Sequence, residues 1–359
     1  MSRSTKTARV EELNVGRVDA WLKLRFPEIE GEPEVTQYSG GASNWTYRLN
    51  YRGQDLVLRR PPAGTKAKSA HDMGREYRIQ KALRPLFPRV PEMLAFCDDA
   101  SVIGCEFYVM RRLDGVILRR NPPRDVTLTP ERTRQLCLNV IDTLIALHRV
   151  DIANPDLEAI GKGSGYARRQ IEGWCDRYRK ARTWNVGGFE RVMRWLEAHI
   201  PEDTAACVIH NDFRFDNVVL DASDPTRVVG VLDWEMATIG DPFMDLGNAL
   251  AYWVQADDDF FIRTLRRQPT HLPGMMTRRE VVDYYCAQTG RRARSWTFYE
   301  VYGLFRLAVI AQQIYYRYQR GETSNKTFRN FWLFVNYLGW RCGRLIRASG
   351  GAGERRPPL

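Results

Sequence analysis

Short runs rich in apolar, β-favouring residues dominate the first third of the chain. Gly-containing turns separate four of them, which predict antiparallel strands at 34–38, 45–50, 55–59 and 106–111. Between the third and fourth runs, apolar residues recur at roughly helical spacing from His71 to Leu86. The pattern therefore predicts a small antiparallel sheet that carries one helix.

The period changes after the Pro-rich, basic stretch 119–130. Thr129, Pro130 and Glu131 supply an N-cap, a proline in the first helical turn and an early acid. The apolar face of the helix that follows comprises Leu136, Val140, Leu144 and Leu147. This mainly helical region is interrupted by short apolar strands between 207 and 233 and then continues to about 347.

These elements predict an α+β chain with two lobes. We expect an N-terminal extension with a helix over 1–29, a smaller sheet lobe over 30–113, a larger helical lobe over 114–348 and a disordered tail over 349–359.

Composition narrows the class of protein. The 359 residues are 44% hydrophobic and 27% charged, which is typical of a folded domain with a sizeable core. The sequence has no apolar run long enough to span a membrane and no apolar stretch typical of a signal peptide near its start, so we expect a cytoplasmic protein. Seven scattered cysteines without a CxxC pair indicate buried thiols, not disulfides or a zinc ribbon.

The formal charge of +11 is concentrated late in the chain. From residue 243 onward, 18 Lys and Arg face nine Asp and Glu. A basic nucleic-acid binder is one interpretation. These arginines mostly stand singly or in pairs between apolar residues, however, which is typical of solvated helix faces, and we do not expect a nucleic-acid partner.

Aromatic residues are also concentrated late in the chain. The segment 296–340 holds 14 of the chain's 41. They indicate either helix–helix core packing or, for some of them, the lining of a substrate cleft.

One stretch carries the residue types that phosphoryl transfer requires. His210 is followed by Asp212 and Asn217, and Asp233 comes 16 residues later, after an apolar strand. Such chemistry needs a carboxylate to accept a hydroxyl proton and a few hard oxygen ligands for Mg²⁺. We therefore predict Asp212 as the base, with Asn217 and Asp233 as metal ligands.

This constellation resembles the aminoglycoside phosphotransferase and choline kinase group, relatives of protein kinases. The motifs that carry the resemblance are His210-x-Asp212-x₄-Asn217, Asp233-Trp234-Glu235 and Gly240-Asp241-Pro242-x₂-Asp245. The sequence is most similar to a phosphotransferase branch that in some animals is fused to an acyl-CoA dehydrogenase domain. The resemblance covers about 35–255 and implies a kinase-like bilobal fold that uses ATP and Mg²⁺.

The resemblance also implies nucleotide-binding residues. The loop 38–44 matches the phosphate loop, and Arg59 stands where kinases place a strand lysine that pairs with a helix glutamate, here Glu76. The residues implied to bind the nucleotide are Gly40, Gly41, Ser43, Arg59, Glu76, Met110, Arg111 and Leu113. Because side chains alternate along a strand, only one of Arg59 and Arg60 can face the phosphates, and we predict Arg59.

Two departures from the family pattern bear on activity. Asn211 replaces the usual glycine of HGD, which matters if the backbone φ there is positive. Arg59 presents a planar fork where a lysine would present a point charge. We interpret His210 as a brace of the loop and Asp241 and Asp245 as structural residues that tie loops or cap a helix beginning near Phe243.

The prediction is an ATP-dependent kinase of a hydroxylated small molecule. The basic last third favours an anionic acceptor, of which a hydroxyacyl-CoA is one example. The alternatives are a pseudokinase or nucleotide-binding scaffold without turnover, for which Asn211 and Arg59 are the hints, and the nucleic-acid binder.

Overall fold

The computed structural model describes residues 13–38, 44–62, 72–123, 126–202 and 206–351. The chain divides into two compact units. The first comprises Met1–Gly115 with Val229–Glu235, and the second comprises Val116–Val228 with Met236–Leu359. The sequence pattern assigns 229–235 to the larger lobe, whereas in the structure this segment belongs to the first unit.

The first unit is built on a five-stranded antiparallel sheet of order β1-β2-β3-β5-β4. Its strands are β1 (Glu34–Gln37), β2 (Trp45–Tyr51), β3 (Gln54–Arg60), β4 (Met93–Cys97) and β5 (Phe107–Arg111). Its helices are α1 (Val15–Lys23), α2 (Met73–Leu83) and α3 (Ala100–Ile103).

The two faces of this sheet bury different sets of side chains. Trp21 and Leu22 of α1 pack on one face with Leu56 and Leu58. On the other face, Val57 packs in a cluster with Met73, Tyr108 and Met110. Alternation along β3 therefore separates an α1 side from an α2 side.

The predicted strands of this unit are confirmed, but β4 was not predicted, because its short run MLAFC contains no β-branched residue and follows no Gly-containing turn. The predicted helix ends at Leu83, three residues before Leu86, which is partly exposed. Pro85 explains the difference, since a proline has no backbone N–H with which to continue the helical hydrogen bonds.

The second unit is mainly helical. Its helices are α4 (Pro130–His148), α5 (Pro155–Glu158), α6 (Tyr166–Ala181), α7 (Glu190–Ala198), α8 (Pro242–Ala251), α9 (Phe260–Leu265), α10 (Arg278–Thr289), α11 (Trp296–Gln319) and α12 (Phe331–Gly351). Its short strands are β6 (Cys207–Ile209), β7 (Val218–Leu220) and β9 (Thr238–Gly240), of which β6 and β9 pair antiparallel. The strand β8 (Val228–Val231) starts in this unit and runs into the first.

Local signals explain the helix boundaries. The Thr129 side chain accepts a hydrogen bond from the backbone of Arg132, which confirms the predicted N-cap of α4. At the other end of the chain, α12 continues to Gly351, so the tail predicted to start at 349 is still helical for three residues. None of the helices in the described ranges is both long and apolar enough to cross a membrane.

Helix α11 is the centre of the second unit's core. Its aromatic residues Phe298, Tyr299, Tyr302, Phe305 and Tyr315 are buried, which supports core packing for this half of the aromatic segment. The aromatic residues of α12 are partly or largely exposed. Five of the seven cysteines are buried, and Cys105 and Cys286 are half-buried.

Glycines allow α8 and α11 to cross at backbone distance. A Cβ atom on Gly303 would lie 2.2 Å from the carbonyl oxygen of Gly247, and a Cβ on Gly247 would lie 2.5 Å from that of Tyr299. Both distances are far below van der Waals contact, and the atoms involved are backbone. Any side chain at either position must therefore push the two helices apart.

We predict that Gly303→Ala destabilises the protein by about 1–3 kcal/mol, because overpacking outweighs the higher helix propensity of alanine. The matched control is Gly343→Ala in α12, where an added Cβ meets only the flexible end of Arg347 at 3.5 Å. It should be neutral or stabilising. Urea unfolding of both variants measures the difference, and equal stabilisation would disprove close crossing.

Candidate active site

The predicted pairing of the strand cation with the helix acid is present. Arg59 Nη1 lies 2.7 Å from Glu76 Oε1, and Glu76 is only 1% exposed. The Arg60 guanidinium lies over the ring of Trp45 and donates to the hydroxyl of Tyr47. Of the two neighbouring arginines, Arg59 is therefore the one that meets α2, as strand alternation predicts.

Arg59 also contacts the segment that follows β8. Its Nη2 lies 3.2 Å from Asp233 Oδ1 and 4.0 Å from Glu235 Oε2. Asn44 donates to the same Glu235 oxygen at 3.1 Å. One guanidinium thus serves three carboxylates, which a planar fork with several donors can do and a single ammonium cannot do as well.

Burial and neighbouring charges both shift the pKa values of Arg59 and Glu76. Burial alone would lower the pKa of Arg59, but Tyr108 and the three carboxylates raise it well above its ordinary value. Burial raises the pKa of Glu76, and Arg59 opposes that rise. The cluster is therefore stable only with the arginine charged and in place.

Backbone contacts position Asp233. The N–H of Val231 donates to the carbonyl of Arg89 at 2.7 Å. The fully buried Trp234 donates its indole N–H to Val231 and packs edge-on against Phe87. Asp233 itself has φ of 68°, a left-handed conformation that aspartate tolerates better than most residues and that often marks functional sites.

The other predicted nucleotide residues of this unit have different surroundings. Met110 is buried in the α2-side cluster, and Leu113 packs against Gly230. The Arg111 side chain is largely exposed and bonds to Glu92 and Gln54. Gly40, Gly41 and Ser43 lie outside the described residues, so nucleotide binding by this set stays a prediction.

The catalytic loop predicted around Asp212 belongs to the second unit. Asn217 Nδ2 donates to the backbone oxygen of Asp212 at 2.8 Å and to its Oδ2 at 3.1 Å. The N–H of Asp212 donates to His210 Nδ1 at 3.2 Å, so His210 braces the loop as predicted. The structure therefore brings Asp212 and Asn217 together, and Asn217 Oδ1 is the atom left to ligate a metal.

Sequence reasoning missed Arg214. Its Nη2 lies 3.1 Å from Asp212 Oδ2, its Nε lies 3.3 Å from Asp216 Oδ1, and its guanidinium stacks over Tyr252. Asp216 is three-quarters buried in this ion pair. Burial raises the pKa of Asp216, and Arg214 opposes that rise. The signal was available as a cation two residues after the candidate base.

A buried carboxylate anchors the loop. Asp245 Oδ2 accepts from the N–H of His210 at 2.8 Å, and Oδ1 accepts from the N–H of Asn211 at 2.7 Å. His148 Nε2 is 3.1 Å from Asp245 Oδ2, and its Nδ1 is 2.7 Å from the hydroxyl of Tyr285. Because a carboxylate can only accept, His148 donates from Nε2 to Asp245.

Asn211 occupies the position where glycine is usual, with φ of 64°. Its Oδ1 accepts from Tyr166 and Asn248, and its Nδ2 donates to the carbonyl of Met236. These bonds offset the backbone strain, so the departure from the glycine pattern is accommodated. Asp241 caps α8 by accepting from the N–H groups of Phe243 and Met244, as predicted.

Oxygen donors in this chain suit Mg²⁺ better than softer metals. In the described ranges, no three His, Cys, Asp or Glu side chains cluster as a metal site. The two predicted ligands nevertheless carry hard oxygen donors, a carboxylate on Asp233 and a side-chain amide on Asn217, and Mg²⁺ accepts a sparse set of such donors when water and phosphate complete its octahedron. Their convergence on one ion stays a prediction.

Comparison with known proteins identifies the family to which this chain belongs. The model of the phosphotransferase enzyme family matches residues 34–281, and the chain belongs to that family. Among curated relatives, human acyl-CoA dehydrogenase family member 11 is 34% identical over 335 residues, and mouse family member 10 is 36% identical over 299. These matches cover 89% and 83% of this chain but only 41% and 28% of the relatives, so the chain spans well under half of their length.

Solved structures agree on the fold. A putative aminoglycoside phosphotransferase from Ralstonia eutropha matches with a TM-score of 0.79 and 29% identity, over 94% of this chain and 99% of that one. A variant of aminoglycoside phosphotransferase APH(4)-Ia, solved with AMP-PNP and hygromycin B, matches with a TM-score of 0.58 and 18% identity over 94% and 99%. The fold is therefore kinase-like, with a small antiparallel-sheet lobe and a larger helical lobe.

Removing Arg59 should be more harmful than removing its whole ion pair. We expect Arg59→Met to cost about 3–5 kcal/mol of unfolding free energy, because Glu76 is left buried without a counter-charge. The double variant Arg59→Met/Glu76→Leu should recover part of that loss. Arg111→Met, which breaks an exposed pair on a neighbouring strand, should cost about 1 kcal/mol or less. A double-mutant cycle from denaturant unfolding tests this, and strictly additive losses would contradict it.

Asp245→Asn should lower the unfolding free energy at pH 7 by about 2–4 kcal/mol, since an amide cannot accept all three hydrogen bonds. Burial alone would raise the pKa of Asp245, but His148 and the His210 N–H hold it below the ordinary value. A lowered folded pKa stabilises the fold above about pH 4 and that contribution disappears on further acidification. The difference between wild type and variant should therefore narrow below about pH 4, while the exposed control Asp257→Asn should match wild type throughout.

Proposed function

We propose that this protein transfers the γ-phosphate of ATP to a hydroxyl group of a small molecule, with Asp212 as the base. The observation that carries the proposal is the catalytic loop, in which Asp212 is fixed by His210 and Asn217 while Asp245 holds the backbone of the loop. A carboxylate so fixed can orient an alcohol and accept its proton as the bond to phosphorus forms.

Arg214 adds a second element to this proposal. Its Nη2 lies 3.1 Å from Asp212 Oδ2, so Arg214 holds the proposed base in place. In the proposed reaction, the same cation would offset negative charge on the transferred phosphoryl group. We therefore assign Arg214 a positioning role toward Asp212.

Asn217 and Asp233 would hold Mg²⁺, and Arg59 would bind nucleotide phosphates. A bound Mg²⁺ supplies charge neutralisation on the phosphate oxygens. Support comes from the oxygen donor set described above and from Arg59, whose charge is stabilised by Glu76 beneath it. The matching structure of APH(4)-Ia with AMP-PNP, an ATP analogue, is consistent with nucleotide use in this fold.

An anionic acceptor fits this chain better than a polycationic antibiotic, because the last third of the sequence is strongly basic. The names of the curated relatives, acyl-CoA dehydrogenase family members, add support for a hydroxylated acyl thioester as the acceptor class. Many late arginines are engaged within the unit: Arg278 pairs with Asp258, and Arg306 lies over Trp174. This favours a small acceptor over nucleic acid.

One observation favours the alternative of a nucleotide-binding scaffold. The contact of Arg59 with Asp233 occupies a carboxylate that the proposed metal would need. A scaffold that binds nucleotide without turnover would keep this contact, whereas a kinase would exchange it for Mg²⁺. Turnover on an identified alcohol separates the two.

The test is a screen of hydroxylated metabolites that reads ATP consumption by purified wild type and Asp212→Ala. Loss of the base should reduce turnover by about 10²–10⁴-fold and leave Mg·ATP affinity nearly unchanged. Asp233→Ala should instead weaken Mg·ATP binding and turnover together. The control Asp283→Asn, which alters an exposed pair on α10, should behave as wild type.

Full turnover by Asp212→Ala on an identified acceptor would refute the role of Asp212. Nucleotide binding by wild type without turnover on any alcohol would support the scaffold.

A further inference from the structure

Arginines from two separate segments meet beside the catalytic loop of the second unit. Arg120, from the stretch before α4, donates to the carbonyl of Thr264 in α9 at 3.3 Å. In return, Arg266, just after α9, donates to Asn121 Oδ1 at 3.2 Å. These two bonds hold the segments together and gather three guanidinium groups and one imidazole, those of Arg120, Arg263, Arg266 and His271.

This group, the α9 basic cluster, lacks compensating charge. Within the described part of the chain, no carboxylate lies within 4.0 Å of Arg120, Arg263 or Arg266. Burial, followed by the charges of Arg266, Arg263 and Arg120, lowers the pKa of His271. Burial and the charges of Arg120 and Arg263 likewise lower the pKa of Arg266. The members of the cluster thus repel one another, which an anion would relieve.

The cluster also holds unused hydrogen-bonding atoms. Arg266 Nε and His271 Nδ1 are both buried and have no hydrogen-bond partner among the described residues. Buried polar atoms are rarely left unpaired unless a ligand or water completes them. A guanidinium with a free N–H next to other cations matches the oxygen acceptors of a phosphate group.

A short tether ties the cluster to the catalytic loop. Gln268 is 1% exposed, its Oε1 accepts from the N–H of Phe215 at 2.8 Å, and its Nε2 donates to the carbonyl of Tyr252 at 3.3 Å. Gln268 lies two residues after Arg266 and three before His271. The cluster is therefore fixed next to the loop that carries Asp212.

We propose that the α9 basic cluster is an anion subsite that binds a phosphate or diphosphate group of the acceptor while the acceptor's hydroxyl lies at Asp212. The inference rests on the proposed function and deepens it, since it names the acceptors as phosphorylated or diphosphate-bearing alcohols. The nucleotide's own phosphates are assigned to Arg59 and the metal ligands, which leaves this cluster for the second substrate.

The direct test is isothermal titration of the whole chain with inorganic pyrophosphate, in metal-free buffer with the nucleotide site saturated by ADP. Wild type should bind pyrophosphate, and Arg266→Gln and Arg120→Gln should each bind it about tenfold more weakly or worse, since each removes charge-assisted hydrogen bonds. Arg279→Gln is the matched control, because Arg279 lies on α10 and forms an exposed ion pair with Asp283. It should bind as wild type does.

Arg120 is exposed, so its variant tests the site without risk to the core. Arg266→Lys adds a second check, because it retains the charge and should recover part of the affinity. Pyrophosphate binding that ADP displaces, or that Arg279→Gln weakens as much as Arg266→Gln does, would overturn the proposal.

Failure of this inference is distinguishable from failure of the proposed function. If wild type consumes ATP on an alcohol but pyrophosphate binding ignores Arg120 and Arg266, only the subsite is wrong. On an identified phosphorylated acceptor, Arg266→Gln should raise KM with little change in kcat, whereas KM for its dephosphorylated analogue should not respond. A fall in kcat with unchanged KM would contradict a binding role.

Discussion

The candidate site depends on one buried carboxylate, that of Asp245. Its two oxygens accept hydrogen bonds from the backbone N–H groups of two consecutive residues, His210 and Asn211. The Oδ2 atom also accepts a hydrogen bond from His148 Nε2. A buried charge of this kind is tolerable only when every lone pair is used. The loop conformation, the left-handed Asn211 and the position of Asp212 all follow from that requirement.

The first unit also buries a charge, but there the buried charge is positive. Arg59 is an almost enclosed cation, and its stability depends on the carboxylates of Glu76, Asp233 and Glu235 around it. Three carboxylates around one guanidinium give this site a net negative charge, and a net negative charge favours binding of a divalent cation. Compared with a lysine, the arginine supplies additional donors, so that one side chain contacts Glu76, Asp233 and Glu235.

Some features of the fold and of the candidate site could be predicted from the sequence, and others could not. The Asp212 and Asn217 spacing, the Arg59 and Glu76 pairing and the cap at Asp241 could be predicted because short motifs fix these residues locally. Strand β4 was not predicted, because its burial depends on partners distant in the chain. His148 contacts Asp245, which only folding brings near, and no local pattern distinguishes it from other core histidines. Arg214, by contrast, lies two residues from both Asp212 and Asp216, so its signal was present in the sequence.

The close crossing of α8 and α11 has a consequence for the dynamics of the loop. Asp245 lies two residues before Gly247, where α8 touches the backbone of α11. A loop whose amides are bonded to α8 shares the cooperativity of that core and is protected from local fraying. Hydrogen exchange of these amides should therefore require opening of the whole helical unit, so Asp212 retains its geometry until the unit itself unfolds.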